Sequence, residues 1–403
     1  MKKLKTCRSC GSSALMLFLS LGRIPLSSVL SSHQLAIPEE RGSLEVAFCQ
    51  RCSLVQLAGD TLENPRAASL PWAEGEGLLR ELPNGHRIGP QTVAVALEGS
   101  NPVQLQEIAQ AGARVLYLEP HPEQARAASS RGVHIREAPF NRSYVKALLD
   151  EGVQAEVILA NQLPTYSSDL NGLFEGLAAL LDPEGVVVLE LPYVRALLEA
   201  RQFGQFAHHR LHYFSVHALQ QLAHRHGLRP LALEELNTGY LRYFLGKNQP
   251  AETLVGRYLE KEQQLGLTDS IYYLEFASHT AAIREALVAL LTELRARGRR
   301  VAAFGASTHS MVLLNYAGLG REVIDFVVDS DVNTQGRFLA GVHIPIHGTK
   351  KLLEARPDYL LLPDHPSDEI PPVLEAYLQK GGKFVVATPH PEILKSPIPR
   401  SGR

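Results

Sequence analysis

The sequence predicts an α/β protein: an N-terminal four-cysteine zinc module, a Rossmann-like domain, a helical connector and a second Rossmann-like domain at the C-terminus. Three observations predict it. All four cysteines lie in the first 52 of 403 residues, as two Cys-x-x-Cys pairs. Short apolar runs alternate with helix-patterned segments between residues 93 and 191. After a long stretch of helical periodicity, the same alternation restarts at residue 300. A chain of this length exceeds one ordinary core. The expected boundaries are 1–62 for the zinc module, 63–248 for the first Rossmann-like domain, 249–298 for the connector and 299–403 for the second.

The cysteines are Cys7, Cys10, Cys49 and Cys52. Two residues between cysteines let both thiolates of a knuckle face one ion, and two knuckles make a tetrahedral sulfur cage. The pairs are separated by residues 11–48, so an inserted loop must join them. Gly11 follows the first knuckle, where a tight turn needs a permissive backbone. Disulfides, a redox pair and unrelated thiols are the competing readings; the complete clustering and a cytoplasmic setting favour zinc. Four protein sulfurs leave no open coordination position, so such a metal holds a fold and does no chemistry.

Leu54–Leu57 begins the exit from the module. A Pro-, Gly- and Glu-rich segment then runs to Pro90, with one short helix expected near Leu78–Leu82. Val93–Leu97 is a short apolar run suited to a buried parallel strand. A helix over Val103–Ala111 and a strand over Val115–Glu119 follow. Strand, loop, helix, strand and terminal acid form the start of a nucleotide-binding unit, and Glu119 falls about 20 residues past the first loop, within reach of ribose hydroxyls. The loop, Glu98-Gly99-Ser100-Asn101-Pro102, has one glycine where such loops usually have more, so an ordinary turn beside a surface acid is the alternative. Strands at Val157–Ala160 and Val186–Leu191 flank a helix at Leu170–Leu181 and extend a doubly wound sheet.

His208, His209, His212 and His217 crowd one segment, with Arg210, Tyr213 and Arg242 as further candidates. Histidine titrates near neutrality and serves as a general base. A second metal site and a solvated histidine-rich turn are the rival readings.

Residues 250–298 read as long helices, with Ile283, Ala286, Leu287, Leu290, Leu291 and Leu294 at helical spacing. Gly298 ends them. Arg300–Phe304 is then a strand, Gly305-Ala306-Ser307 a loop, Met311–Leu319 a helix and Val323–Asp329 a strand ending on an acid. Short strands are expected at 358–363 and 383–387. A Gly-Ala-Ser loop opening a helix can offer amides to phosphate, or can be a plain βα turn. It lacks the glycine spacing of a dinucleotide site, which argues against a nicotinamide enzyme.

The formal net charge of -2, with 20% charged residues, gives nucleic-acid binding no electrostatic support. Met1–Leu19 imitates a secretory signal, but its apolar run is short and follows two knuckle cysteines. No stretch approaches the roughly 18 apolar residues of a membrane span. A cytoplasmic protein without membrane or nucleic-acid partners is expected.

Several segments together resemble one family, the S-adenosylmethionine-dependent sugar C-methyltransferases, which methylate a 4-keto sugar carried on a nucleotide. Cys7-Arg-Ser-Cys10-Gly11 and Cys49 through Leu57 are similar to its zinc-binding domain, and Leu177–Pro192 to its late methyltransferase region. Val301–Ile346 is similar to its C-terminal domain. The resemblance spans nearly the whole chain. It implies a class I methyltransferase middle domain with the methyl donor at Gly99, Ser100, Asn101, Glu119, Ala160 and Asn161. It also implies a histidine base among His208, His209 and His212 with Arg210 beside it, and a nucleotide-sugar substrate near Arg242, Gly305, Ala306, Ser307 and Asn315. S-adenosylmethionine and structural zinc are the cofactors implied.

The sequence departs from the family pattern in places. Leu97, Pro102 and Val103 replace an acid, an Asp and a Gly of the donor loop. Tyr166 falls on a family histidine, and Ala207-His208-His209-Arg210 falls on a Tyr-His-Glu-His run. Two functions are therefore expected: base-generated enolate attack on a donor methyl, in a rebuilt site; or a non-catalytic relative that binds nucleotide sugars or a protein partner.

Overall fold

A computed structural model describes residues 4–60, 82–129, 133–236, 239–248, 252–363 and 371–394. The expected helix at Leu78–Leu82 falls almost wholly outside them; Leu82 itself precedes a 3-10 turn, Pro83–Gly85.

The apolar run at the N-terminus is a strand. β1 (Leu15–Pro25) is followed by β2 (Val29–Leu30), β3 (Arg41–Cys49) and β4 (Val55–Leu57). β1 and β3 pair antiparallel from Leu15 opposite Cys49 to Pro25 opposite Arg41. The insertion between the cysteine pairs is thus a long hairpin.

In the middle domain β5 (Val93–Leu97), α1 (Pro102–Gln110), β6 (Arg114–Leu118), α2 (Pro122–Ser129), β7 (His134–Arg136), α3 (Arg142–Asp150) and β8 (Ala155–Leu159) alternate as the patterning requires. Then come α4 (Leu163–Tyr166), α5 (Leu170–Leu180), β9 (Leu181–Pro192), α6 (Val194–Glu199), β10 (His212–Tyr213), α7 (Val216–Arg225), β11 (Arg229–Leu236) and β12 (Tyr240–Gly246). The seven-stranded sheet has the order β11-β12-β9-β8-β5-β6-β7. β12 is antiparallel to both neighbours, while β5 through β9 pair in parallel. That is the class I methyltransferase arrangement the sequence led us to expect. Its near-continuous apolar strands are buried on both faces, as a sheet covered by helices requires.

The connector is α8 (Glu252–Gln264) and α9 (Ser270–Ala296). Of its apolar stripe, Ile283, Leu287, Leu291 and Leu294 are buried, whereas Ala286 is exposed. The C-terminal domain continues with β13 (Val301–Phe304), α10 (Thr308–Ala317), β14 (Val327–Asp329), β15 (Phe338–Leu339), β16 (Ile344–Gly348), α11 (Lys350–Ala355), β17 (Tyr359–Leu362), α12 (Pro372–Gln379), β18 (Lys383–Val386) and β19 (Glu392–Ile393). β14 starts later than expected because residues 321–323 form a turn and 324–326 are irregular, although the Asp325 amide already donates to the Val301 carbonyl of β13.

Strand exchange joins these parts. β10, from the middle domain, completes the zinc module's sheet in the order β1-β3-β4-β10. β2, from the zinc module, adds to the edge of the C-terminal sheet beside β15. A close contact joins the two larger domains: a Cβ at Gly204 would lie 2.1 Å from His309 Cδ2, so only glycine fits between that turn and α10. No described helix is long and apolar enough to cross a membrane.

Candidate active site and zinc centre

The two knuckles are built alike. Gly11 N donates to the Cys7 carbonyl and Ser53 N to that of Cys49, and both Gly11 and Ser53 have positive φ. The four Sγ atoms lie within 4.8 Å of one another, with Cys7–Cys52 and Cys10–Cys49 separations of 3.6 Å. A tetrahedron of Zn–S bonds of about 2.3 Å has an edge of about 3.8 Å, so the sulfur cage fits zinc. Cys7, Cys49 and Cys52 are buried. The first knuckle also docks on the middle domain, where Asn171 Nδ2 donates to the Arg8 carbonyl at 2.9 Å.

In an open α/β sheet a ligand binds beyond the carboxyl ends of the strands, where strand order reverses. Here that point lies between β5 and β8. The residues at these ends are the donor-site candidates Gly99, Ser100 and Asn101 after β5, Glu119 after β6, and Ala160 and Asn161 after β8. Gly99 has φ +84, which glycine alone adopts without strain. Asn101 caps α1, its side chain accepting from Val103 N at 2.9 Å. Pro102 occupies the first helical turn, where its missing N–H is no loss. The Val103 side chain points outward and is 52% exposed. The valine therefore turns away from the loop, while Pro102 is buried.

Glu119 is wholly buried and accepts from the Tyr117 hydroxyl at 2.7 Å and from His121 N at 2.9 Å. A carboxylate has about four lone-pair positions, so two remain for further donors. Ser100 Oγ donates to the Leu97 carbonyl. Asn161 donates to Gln104 at 3.4 Å, while its Oδ1 has no protein partner, nor does the neighbouring Thr165 Oγ1. Buried polar atoms in a native protein normally have partners, so this edge is shaped for a polar ligand. Gln162, between them, is left-handed at φ +55, a strained state for a residue with a side chain.

The histidine segment crosses the same edge, and it is not a solvated turn. His208 and His212 are buried, and His209 and Arg210 are half-buried. Burial holds His208 below its ordinary value. Burial first, then Arg210 and His208, push His209 down to about 4. Burial and then Arg8 push His212 down to about 3. The Tyr166 and His209 rings stack at 5.9 Å and 10°. Arg210 sits close enough to Tyr166 to interact with it electrostatically and lies 5.8 Å from the Tyr213 ring centroid, with its Nε unpartnered. Tyr166, His209 and Arg210 thus form one cluster, and Tyr166 was not among the sequence candidates for the site.

His212 belongs elsewhere. Its Nδ1 donates to the Pro164 carbonyl at 2.9 Å, and it sits in β10 opposite Gln56. It is fully buried there, between the zinc module's sheet and the segment after β8.

The five residues expected to bind substrate are each engaged within the protein. Arg242 is tied across the sheet to Glu190 at 2.7 Å and Glu234 at 2.9 Å, because the register of β12 places it between them. Asn315 donates to the carbonyls of Met311 and Ala340, which fixes α10 rather than a ligand. The Ala306 amide donates to Asp329 and the Gly305 amide to the Val328 carbonyl. Ser307 caps α10 by accepting from Ser310 N. The loop amides of Gly305 and Ala306 are therefore already used and are not open to phosphate. No second metal cluster occurs among the described residues.

Residues 7–60 match a zinc binding domain and residues 235–389 the C-methyltransferase C-terminal domain. C-methyltransferase NovU of Streptomyces niveus is 29% identical over 406 residues, covering 97% of each chain. The chain is thus similar to a C-methyltransferase along nearly its whole length. Solved structures with some likeness to it include a 1,6-didemethyltoxoflavin-N1-methyltransferase from Burkholderia thailandensis, at 16% identity and a TM-score of 0.29 over 39% of this chain and 72% of that one. An S-adenosylmethionine dependent methyltransferase from Mesorhizobium loti has 13% identity and a TM-score of 0.31 over 39% of this chain and 91% of that one.

Proposed function

We propose that the protein is an S-adenosylmethionine-dependent C-methyltransferase acting on a carbon next to a carbonyl, in a small substrate of the nucleotide-linked keto-sugar type. The observation that carries this reading is the juxtaposition at one sheet edge of the Gly99 loop, Glu119 and Asn161 with the Tyr166–His209–Arg210 cluster.

The residues fit the donor. Glu119 keeps acceptor capacity for ribose hydroxyls, Asn161 Oδ1 has no protein partner, and the turn at Gly99 lets backbone approach closely. Bound there, S-adenosylmethionine would supply an electrophilic methyl group.

The chain's own chemistry is a proton transfer. A carbonyl acidifies its neighbouring C–H. His209, held neutral by burial and by Arg210, takes that proton on a ring nitrogen. The electron pair of the C–H bond moves toward oxygen, and Arg210, charged at all relevant pH, offsets the developing negative charge from its unpartnered Nε. Tyr166 stacks on His209 and lies beside Arg210, which keeps the two groups together.

The test is methyl transfer from labelled donor to nucleotide-linked 4-keto sugars, with solvent deuterium followed at the adjacent carbon. Carbon-bound label in the wild type, lost in Arg210→Ala, is the expected result. Deuterium exchange and methyl transfer both absent with every such sugar would refute the reading.

A further inference from the structure

Both knuckles of the zinc cage are tied to β4 or to the residue that leads into it. Arg8, inside the first knuckle, donates its amide to Gln56 Oε1 at 3.0 Å and its guanidinium to the Leu57 carbonyl. The second knuckle runs straight into β4, with Cys49 N donating to the Leu54 carbonyl. β4 in turn pairs with β10, Gln56 opposite His212 and Val55 opposite Tyr213, and Leu57 N donates to the Leu211 carbonyl. From β10 two bonds reach the loop after β8: His212 Nδ1 to the Pro164 carbonyl at 2.9 Å and Leu211 N to the Thr165 carbonyl at 2.9 Å.

That segment holds the strained Gln162 and two buried unpartnered atoms, Asn161 Oδ1 and Thr165 Oγ1. A left-handed residue with a side chain costs on the order of 1–3 kcal/mol and persists only where its surroundings over-determine it. From the sheet side Gln162 N is bonded to the Glu190 carbonyl. β10 and the residue before it add two further bonds to the same segment from the zinc-module side.

We propose that His212 is a positioning residue through which the zinc module sets the Asn161–Tyr166 loop, so that zinc occupancy and ligand binding at the sheet edge are thermodynamically coupled. The neutral imidazole suits this role. Nδ1–H is a donor, the carbonyl accepts, and the side chain is fully buried. Coupling of this kind is reciprocal: the factor by which zinc tightens ligand binding is the factor by which the ligand tightens zinc. The ligand arm of the test rests on the function proposed above; the loop arm does not.

The experiment uses the full-length zinc-loaded chain as wild type, His212→Asn, His212→Gln and His212→Leu, and the wild type after treatment with a zinc chelator. Asparagine keeps a donor where Nδ1 stands; glutamine moves it one bond further out; leucine removes it. Amide exchange of residues 162–167 is read by mass spectrometry, zinc by elemental analysis, and S-adenosylhomocysteine affinity by calorimetry.

We expect the asparagine variant to stay within about twofold of wild type in both exchange and affinity. The leucine and glutamine variants, with full zinc, should exchange residues 162–167 at least tenfold faster and bind S-adenosylhomocysteine at least tenfold more weakly. Zinc removal should reproduce the faster exchange. If leucine prevents folding, glutamine carries the test. Unchanged exchange at 162–167 in the folded, zinc-loaded leucine or glutamine variant overturns the proposal. Wild type that binds no S-adenosylhomocysteine undermines the function proposed above, and the exchange measurement still decides the coupling.

Discussion

Arg242 and Glu190 face each other across β12 and β9, joined from Nε to Oε1 at 2.7 Å with both side chains nearly inaccessible to water. This is a pair whose desolvation is compensated only while both partners remain. Removing the arginine leaves a buried carboxylate and costs about 3–5 kcal/mol. Arg242→Leu should therefore lower the unfolding free energy by that amount, whereas a purely substrate-binding arginine would leave stability intact. Urea unfolding followed by circular dichroism separates the two.

Acid should destabilise the protein through its buried histidines. His212 falls to about 3 and His209 to about 4 in the folded chain, against about 6.5 when unfolded. A depressed folded value means the unfolded chain binds more protons in the interval. Stability is then full above about pH 6.5 and is lost as pH falls toward those values. Each histidine should remove roughly 2 kcal/mol between pH 6.5 and 5. His212→Asn should flatten the acid limb of a plot of unfolding free energy against pH; an unchanged slope would show that His212 is not the titrating group.

Gly204 lies at a contact between the middle and C-terminal domains, where an added Cβ would clash with the His309 ring and crowd its backbone oxygen. Alanine there cannot be fitted without moving α10, and overpacking of this kind costs about 1–3 kcal/mol. Gly204→Ala should lower the melting temperature measured by calorimetry. A variant as stable as wild type would mean the domains separate freely at this contact.

The sulfur cage predicts one zinc per chain. Cys52→Ser should abolish stoichiometric zinc by elemental analysis and loosen β4, because three ligands no longer close the tetrahedron. Full metal content in that variant would place the zinc elsewhere.

Local pattern made much of this fold legible. The cysteine spacing, the β5–α1–β6 unit and the buried stripe of α9 each depend on residues near in sequence. What pattern could not show is long-range. β10 is two residues long, and its partner β4 lies far earlier in the chain, so nothing local marks His212 as a strand residue rather than a base. β2 likewise finds its sheet in the other end of the chain. Arg242 is tied by the register of neighbouring strands, which its own sequence does not encode. The Pro102–Val103 dipeptide looked obstructive beside a donor loop. Its helical position turns the valine outward, a matter of phase along α1 that composition leaves open. Tyr166 could be picked out only by its fall on a family histidine; its contact with Arg210 needed three dimensions.

The central claim is that the edge formed by Gly99, Glu119 and Asn161 holds an adenosyl methyl donor. Calorimetric titration of the folded, zinc-loaded protein with S-adenosylhomocysteine tests it most directly. One site per chain, weakened at least tenfold by Glu119→Ala with no loss of zinc, is the predicted result. No heat of binding to the wild type under those conditions would contradict it.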